Sequence, residues 1–82
     1  MPGTALELTT IDYEIDRYND LSKRAVDRRD FAGAATYKEN VATLLRRRGD
    51  IMYAVNVAEA QAAYFMAGAV ESAARELEKK VR

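Results

Sequence analysis

The stretch IMYAVNVAEAQAAYFMAGAV, residues 51–70, decides how the chain folds. Its clearly polar side chains are Asn56, Glu59 and Gln61. An acidic group near the centre of a membrane span costs roughly 2.5–3.5 kcal/mol, which outweighs the roughly 2–3 kcal/mol that the larger apolar side chains of this stretch contribute. We therefore expect a helix of a soluble protein and no membrane span.

The same stretch carries two apolar seams at helical spacing. The seams are offset by two residues, which is about 200° around a helix, so the helix is apolar on nearly all sides. Such a helix needs covering on more than one side, and two companion helices in a short chain leave part of it uncovered. The first seam is Ile51, Val55, Ala58, Ala62, Phe65 and Ala69, and the second is Tyr53, Val57, Ala60, Tyr64 and Ala67.

Local signals along the chain predict three helices and no strand. The chain has 82 residues, enough for one domain. Asp30 is a good N-cap, and Gly49 followed by Asp50 indicates a helix stop and a new cap. The sequence therefore predicts an all-α, three-helix up-down-up bundle with helices at about 9–28, 31–48 and 51–80.

Two capping-box patterns compete at the N-terminus, Thr4 with Glu7 and Thr9 with Asp12. We favour the second pattern, which leaves residues 1–8 as a loose tail. The same N-terminal residues lack the basic and apolar blocks of a secretory signal, so a cytoplasmic protein is expected. Frequent Ala and Arg are typical of a GC-rich bacterial or bacteriophage genome.

The predicted third helix is longer than its two neighbours. Residues 71–82 would then project from the bundle by roughly 18 Å and serve as a docking arm, with a frayed, solvated end as the alternative. We expect the chain to self-associate as a dimer or higher oligomer, and to bind another protein, through apolar positions centred on this helix. These positions are Tyr53, Val57, Tyr64, Phe65, Val70, Ala74, Leu77 and Val81.

The composition argues against catalysis. The chain has no His and no Cys, so the usual bases, thiolate nucleophiles and zinc ligands are missing. Asp12, Asp16 and Asp20 share one helical face and could hold a divalent cation, but a solvated or ion-paired face is the simpler interpretation. We expect a non-enzymatic adaptor, regulator or inhibitor without a cofactor or a metal.

The alternative function is that of a weak nucleic-acid-binding accessory protein. It would bind through the cluster Arg46, Arg47 and Arg48. Three basic residues in a row could contact phosphates, but the 13 basic and 13 acidic residues of the chain balance to a formal net charge of zero. The cluster also lies where positive charge complements the carbonyl groups at a helix end. Nucleic-acid binding is therefore the weaker prediction.

Lys38 lies within the apolar arc of the second helix. Its ammonium group can reach solvent at the edge of the arc, or it can pair with Asp20 or Glu59 and fix the register of the helices.

Residues 25–45, AVDRRDFAGAATYKENVATLL, resemble a known helical hairpin. The hairpin that they resemble is the UVR motif of the UvrB and UvrC excision-repair proteins. Its approximate pattern is A-A-x-x-x-x-F-E-x-A-A-x-x-R-D-x-I-x-x-L. The resemblance covers about a quarter of the chain, and Ala32 stands where the family has an acidic residue. The matching residues are Ala25, Val26, Phe31, Ala34, Ala35, Lys38, Glu39, Val41 and Leu44.

In the UVR family the hairpin is a protein–protein contact. The resemblance therefore implies a contact through Phe31, Ala35, Lys38 and Val41. Tetratricopeptide and MIT hairpins, which are matched less well, also bind peptides or proteins.

Overall fold

The structure, a computed structural model, describes residues 2–81, with side chains from residue 5 onward. These residues form α1 (Pro2–Asp27), α2 (Phe31–Tyr53) and α3 (Val57–Lys79), with no strand among them. The predicted all-α fold of three helices is confirmed. Within the described residues, no helix has the length and apolarity needed to cross a membrane.

The first helix begins at Pro2, well before the predicted start. Proline suits the first position of a helix because its φ angle is already helical and its missing N–H would have no partner there. Thr9 and Thr10 do not cap the helix, since their hydroxyls donate to the carbonyl oxygens of Ala5 and Leu6, both at 3.0 Å. The predicted loose tail is wrong for residues 2–8, and Met1 lies outside the described residues.

The turn between α1 and α2 follows the prediction. Asp30 caps α2, accepting a hydrogen bond at Oδ1 from the backbone N–H of Gly33 at 3.0 Å. Arg29 has a φ of 60°, and the N–H of Asp30 donates to the carbonyl of Ala25 at 2.8 Å. This is a Schellman ending of α1 with arginine in the left-handed position that glycine usually takes.

Helix α2 does not stop at Gly49, as predicted, but continues to Tyr53. Gly49 is buried, and a Cβ added there would lie 2.5–2.9 Å from ring atoms of Tyr64. The glycine therefore allows close packing of α3 on α2 instead of ending α2. Asn56, and not Asp50, caps α3, since its side chain accepts a hydrogen bond from the N–H of Glu59 at 3.2 Å.

Because α2 runs further than predicted, α3 starts later and is not elongated. Both helices have 23 residues. The far end of α3 lies beside the start of α2, where the Lys80 ammonium is 5.5 Å from the ring centroid of Phe31. The predicted projecting arm over residues 71–82 is therefore wrong for the described residues 71–81, and Arg82 lies outside them.

Helix α2 is the middle element of an antiparallel, flattened arrangement. Over the described residues, α1 and α3 each pack on α2 but do not approach each other within 8 Å between Cα atoms. The molecule measures 45 × 20 × 11 Å, and its radius of gyration is 13.7 Å. A compact domain of this length would have about 12 Å. The core on α2 is formed by Val41, Ala42 and Leu45, with Ala67 of α3, and Ile15, Tyr18 and Val70 pack at its edges.

Candidate protein-binding groove

The separation of α1 and α3 leaves a groove along one side of α2. Leu45 of α2 forms part of its lining, together with Ile15 of α1 and Ala62, Ala63 and Met66 of α3. The cavity measures about 380 Å³. We call this cavity and its lining the groove. Its apolar lining lies between helices that do not close over it.

Met66 is the large apolar side chain that the groove exposes most. It is 54% exposed, whereas Leu45 and Ala63 are 5% and 4% exposed. Methionine is flexible and adapts to a partner surface. Positions at helical spacing from Met66 extend the same side of α3 toward its C-terminus. We call these four positions the α3 stripe: Met66, Val70, Ala73 and Leu77.

Charged side chains border one end of the groove. They are Asp12 and Asp16 of α1, Arg48 of α2 and Glu59 of α3. Arg48 Nε donates to Asp12 Oδ1 at 2.9 Å, which fastens α1 to α2. Three carboxylates against one guanidinium make this end acidic.

The predicted acidic face of α1, formed by Asp12, Asp16 and Asp20, has ion-pair partners on two different helices. Asp12 pairs with Arg48, and Asp20 pairs with Arg24 at 3.0 Å. Among the described residues, no three His, Cys, Asp or Glu side chains are grouped so that they could hold a metal ion.

The residues predicted for association do not form one surface. Val70 and Leu77 are half-buried and belong to the α3 stripe. Ala74 is 1% exposed, so its assignment to an outer contact is wrong, because it packs within the chain itself. Phe65 is 80% exposed on the outer side of α3, next to Met66 in the chain.

Three further predicted positions are exposed but lie away from the groove lining. Val57, 46% exposed, precedes Met66 by nine residues, which places it half a turn away around the helix. Tyr53 and Val81, 57% and 56% exposed, lie at the end of α2 and beyond the end of α3. The sequence seams identified apolar residues, but not which of them share a side of the folded molecule.

Tyr64 is engaged within its own chain. Its ring packs on Gly49, and its hydroxyl donates to Asp50 Oδ1 at 2.5 Å. The hydrogen bond to Asp50 is the main cause of a pKa of Tyr64 above its usual 10.0, with partial burial adding to it. The contact joins the first part of α3 to the last turns of α2.

The four residues implied by the UVR resemblance lie along α2. Ala35 and Val41 are 2% and 1% exposed and pack inside the chain, so neither is available as an outer contact in this structure. Phe31 is half-buried beneath Lys80. Lys38 Nζ donates to Asn19 Oδ1 at 3.3 Å, and not to the predicted Asp20 or Glu59.

The ring stack between α1 and α2 lies outside the sequence predictions. The rings of Tyr18 and Tyr37 have centroids 6.1 Å apart and an interplanar angle of 30°. Nearby, the buried Ser22 hydroxyl donates to the carbonyl of Ala34 at 3.0 Å. Neither contact has a local sequence signal, because each joins residues on different helices.

The three arginines predicted for nucleic acid point in different directions. Arg46 pairs with Glu71 of α3, and Arg48 pairs with Asp12 of α1. Arg47 lies with Leu44 on a separate surface between α1 and α2. Successive residues of a helix are 100° apart, which explains why the cluster in sequence is not a cluster in space.

Glu39 and Glu78 form a carboxyl pair between α2 and α3. The hydrogen bond with Glu78 is the main cause that raises the pKa of Glu39 above 4.5, followed by partial desolvation and by repulsion from Glu78 and Glu71. The folded state therefore binds this proton more tightly than the unfolded state does. The resulting stabilisation is complete below about pH 4.5 and is lost as the pH rises through the raised pKa.

We expect Glu39→Gln to raise the melting temperature at about pH 7, because it removes the repulsion, and to lose this advantage at about pH 4. Thermal unfolding followed by circular dichroism at both pH values measures the difference. Glu76→Gln is the control, since Glu76 pairs with Lys79 at 3.1 Å and its neutralisation should bring no gain. An equal gain for Glu39→Gln at both pH values would contradict the assignment.

No protein-family model, curated protein or solved structure matches the chain. The resemblance to the UVR hairpin therefore stays a prediction.

Proposed function

We propose that the chain is a small non-enzymatic interaction module that associates with itself through the groove and acts as an adaptor, regulator or inhibitor of another protein. The observation that carries this proposal is the separation of α1 and α3, which leaves Met66 exposed above Leu45. An apolar surface between unclosed helices is typical of a helical protein that is completed by a partner.

The accessible surface supports the presence of a partner. The chain exposes 5650 Å² for a mass of 9.2 kDa. A folded monomer of that mass exposes about 4,900 Å² by the usual scaling of surface with mass. The excess of about 700 Å² is close to the roughly 800 Å² that each partner buries in an interface of standard size. One layer of helices packed on the groove would therefore bring the exposed surface to the ordinary value.

The size of the chain also favours association. A domain this small buries a modest share of its surface on folding, and small domains often gain stability from disulfides, metals or oligomerisation. The 82 residues include no cysteine. Association with a second copy would supply the apolar burial that a single layer of three helices lacks.

The molar mass in solution tests the proposal. Light scattering during size exclusion should give twice the 9.2 kDa of the chain at high concentration, with a fall toward the single-chain mass on dilution. A mass of one chain at every concentration would contradict self-association.

A further inference from the structure

Charge changes sign along the groove side of α1. Asp12, Asp16, Asn19 and Lys23 follow one another at steps of four, three and four residues, so they share one side of the helix. We call these four positions the α1 stripe. Its acidic members border the groove, and its basic member continues the same line toward the end of the helix. The α1 stripe is therefore acidic at one end and basic at the other.

Helix α3 repeats this order of charges. Glu59 borders the groove near the start of α3, the α3 stripe follows, and Lys80 comes three residues after Leu77. The contacts Asp12–Arg48 and Tyr64–Asp50 place the first parts of both helices beside the end of α2. The acidic ends of the two outer helices therefore lie at the same end of the molecule, and the basic ends lie at the other.

The two charge patterns also share a centre. The midpoint between Asp16 and Lys23 falls beside Asn19, which bonds to Lys38 of α2. The midpoint between Glu59 and Lys80 falls beside Val70, which packs on the core cluster that contains Val41. Lys38 and Val41 are less than one helical turn apart. A two-fold axis that crosses the middle of α2 at right angles to the helices would therefore act on both outer helices in the same way. It would place the acidic end of each outer helix opposite the basic end of the same helix in a second copy.

We propose that the partner in the groove is a second copy of this chain, packed face to face and antiparallel about that axis. This inference rests on the proposed self-association and adds its geometry. Asp16 then faces Lys23 of the partner subunit, and Glu59 faces Lys80 of the partner subunit. The α3 stripes meet at the centre. A parallel, in-register pair would instead bring the acidic ends together, and like charges facing each other disfavour that arrangement.

Asp16 and Lys23 are the best-placed members of this arrangement. Among the described residues, neither has an ion-pair partner within 4.0 Å in its own chain. Asp12 and Lys80, in contrast, already contact Arg48 and Phe31. The α1 stripe therefore presents one acidic and one basic side chain for the partner subunit.

A charge-swap experiment tests the arrangement. Asp16→Lys and Lys23→Asp should each raise the dissociation constant of the dimer about tenfold, because each places like charges opposite one another twice per symmetric dimer. The double variant should return to nearly the wild-type constant. Sedimentation equilibrium at low and high salt measures these constants, and the effect of each single variant should shrink as salt screens it. Arg17→Asp is the control for a charge reversal outside the α1 stripe.

Cysteine cross-linking gives an independent readout that does not depend on electrostatics. Because the chain has no cysteine, Ala69→Cys adds one thiol near the proposed axis. It should form a disulfide between two copies under mild oxidation, since symmetry brings the two positions together. Gly68→Cys, at a similar height but about 160° around α3 from Val70 of the α3 stripe, should stay reduced.

The outcomes separate this inference from the proposed function. Rescue by the charge swap together with cross-linking at position 69 supports the antiparallel pair. Failure of both in a chain that still has the mass of a dimer overturns the geometry and leaves self-association standing. A chain that stays monomeric overturns both.

Discussion

Met66→Asp is expected to turn the assembled protein into single chains. In the isolated chain the side chain of Met66 is 54% exposed, so a carboxylate at this position would keep much of its contact with water. In the proposed pair it would be desolvated against an apolar surface without a cation to compensate it, which costs several kcal/mol. We expect the dissociation constant to rise by roughly 100-fold or more, equivalent to about 3 kcal/mol.

Val57→Asp is the matched control for this result. Val57 is also apolar, 46% exposed and on α3, but it lies on the opposite side of the helix from Met66. Light scattering should therefore show a loss of assembled mass for Met66→Asp and none for Val57→Asp. Circular dichroism should show folded helices in both variants. If the two variants have the same assembled mass, the groove is not the interface.

Gly49→Ala is expected to destabilise the fold, although alanine is the better helix former. The helical preference alone would stabilise α2 by about 1 kcal/mol. The new Cβ, however, would lie 2.5 Å from Cε1 of Tyr64, so the ring must move and give up its hydrogen bond to Asp50. We expect a net loss of about 1–3 kcal/mol, measured by urea unfolding at a fixed protein concentration.

Gly68→Ala provides the comparison. A Cβ at position 68 would meet no atom within 4 Å, so this variant should be more stable by up to about 1 kcal/mol. Gly49→Ala should also become stabilising in a Tyr64→Ala background, because the clashing ring is gone. A destabilising effect of Gly49→Ala that persists without the ring would contradict the packing explanation.

Signals within one turn of helix predicted the number of helices and the cap at Asp30. The predicted helix boundary near Gly49 was wrong because the role of this glycine depends on a residue far away in the sequence. Gly49 makes room for the ring of Tyr64 within a continuous helix. In the sequence alone, a glycine followed by an acidic residue looks like the end of one helix and the N-cap of the next. Asn56 and Glu59, three residues apart, did form an N-cap signal. The signal is easily missed because it lies inside a long apolar stretch, where the apolar spacing dominates the pattern.

The groove was harder to predict than the helices. The apolar excess of the third helix was visible in the sequence, and Phe65 of the first seam is exposed. Met66, which is also exposed, belongs to neither seam and was not among the residues predicted for association. The expected reason, a helix longer than its neighbours, was wrong. The groove exists because α1 and α3 do not meet, which is a property of tertiary packing and has no local signal.

Oxidative labelling of methionine tests most directly whether a second copy covers the groove. Met66 is 54% exposed in a single chain and Met52 is 8% exposed, so Met52 serves as the buried internal standard. Mass spectrometry after brief peroxide treatment should show slow oxidation of Met66 at high protein concentration and fast oxidation after dilution, with Met52 slow throughout. Fast oxidation of Met66 at every concentration, with Met52 still slow, would contradict a covered groove.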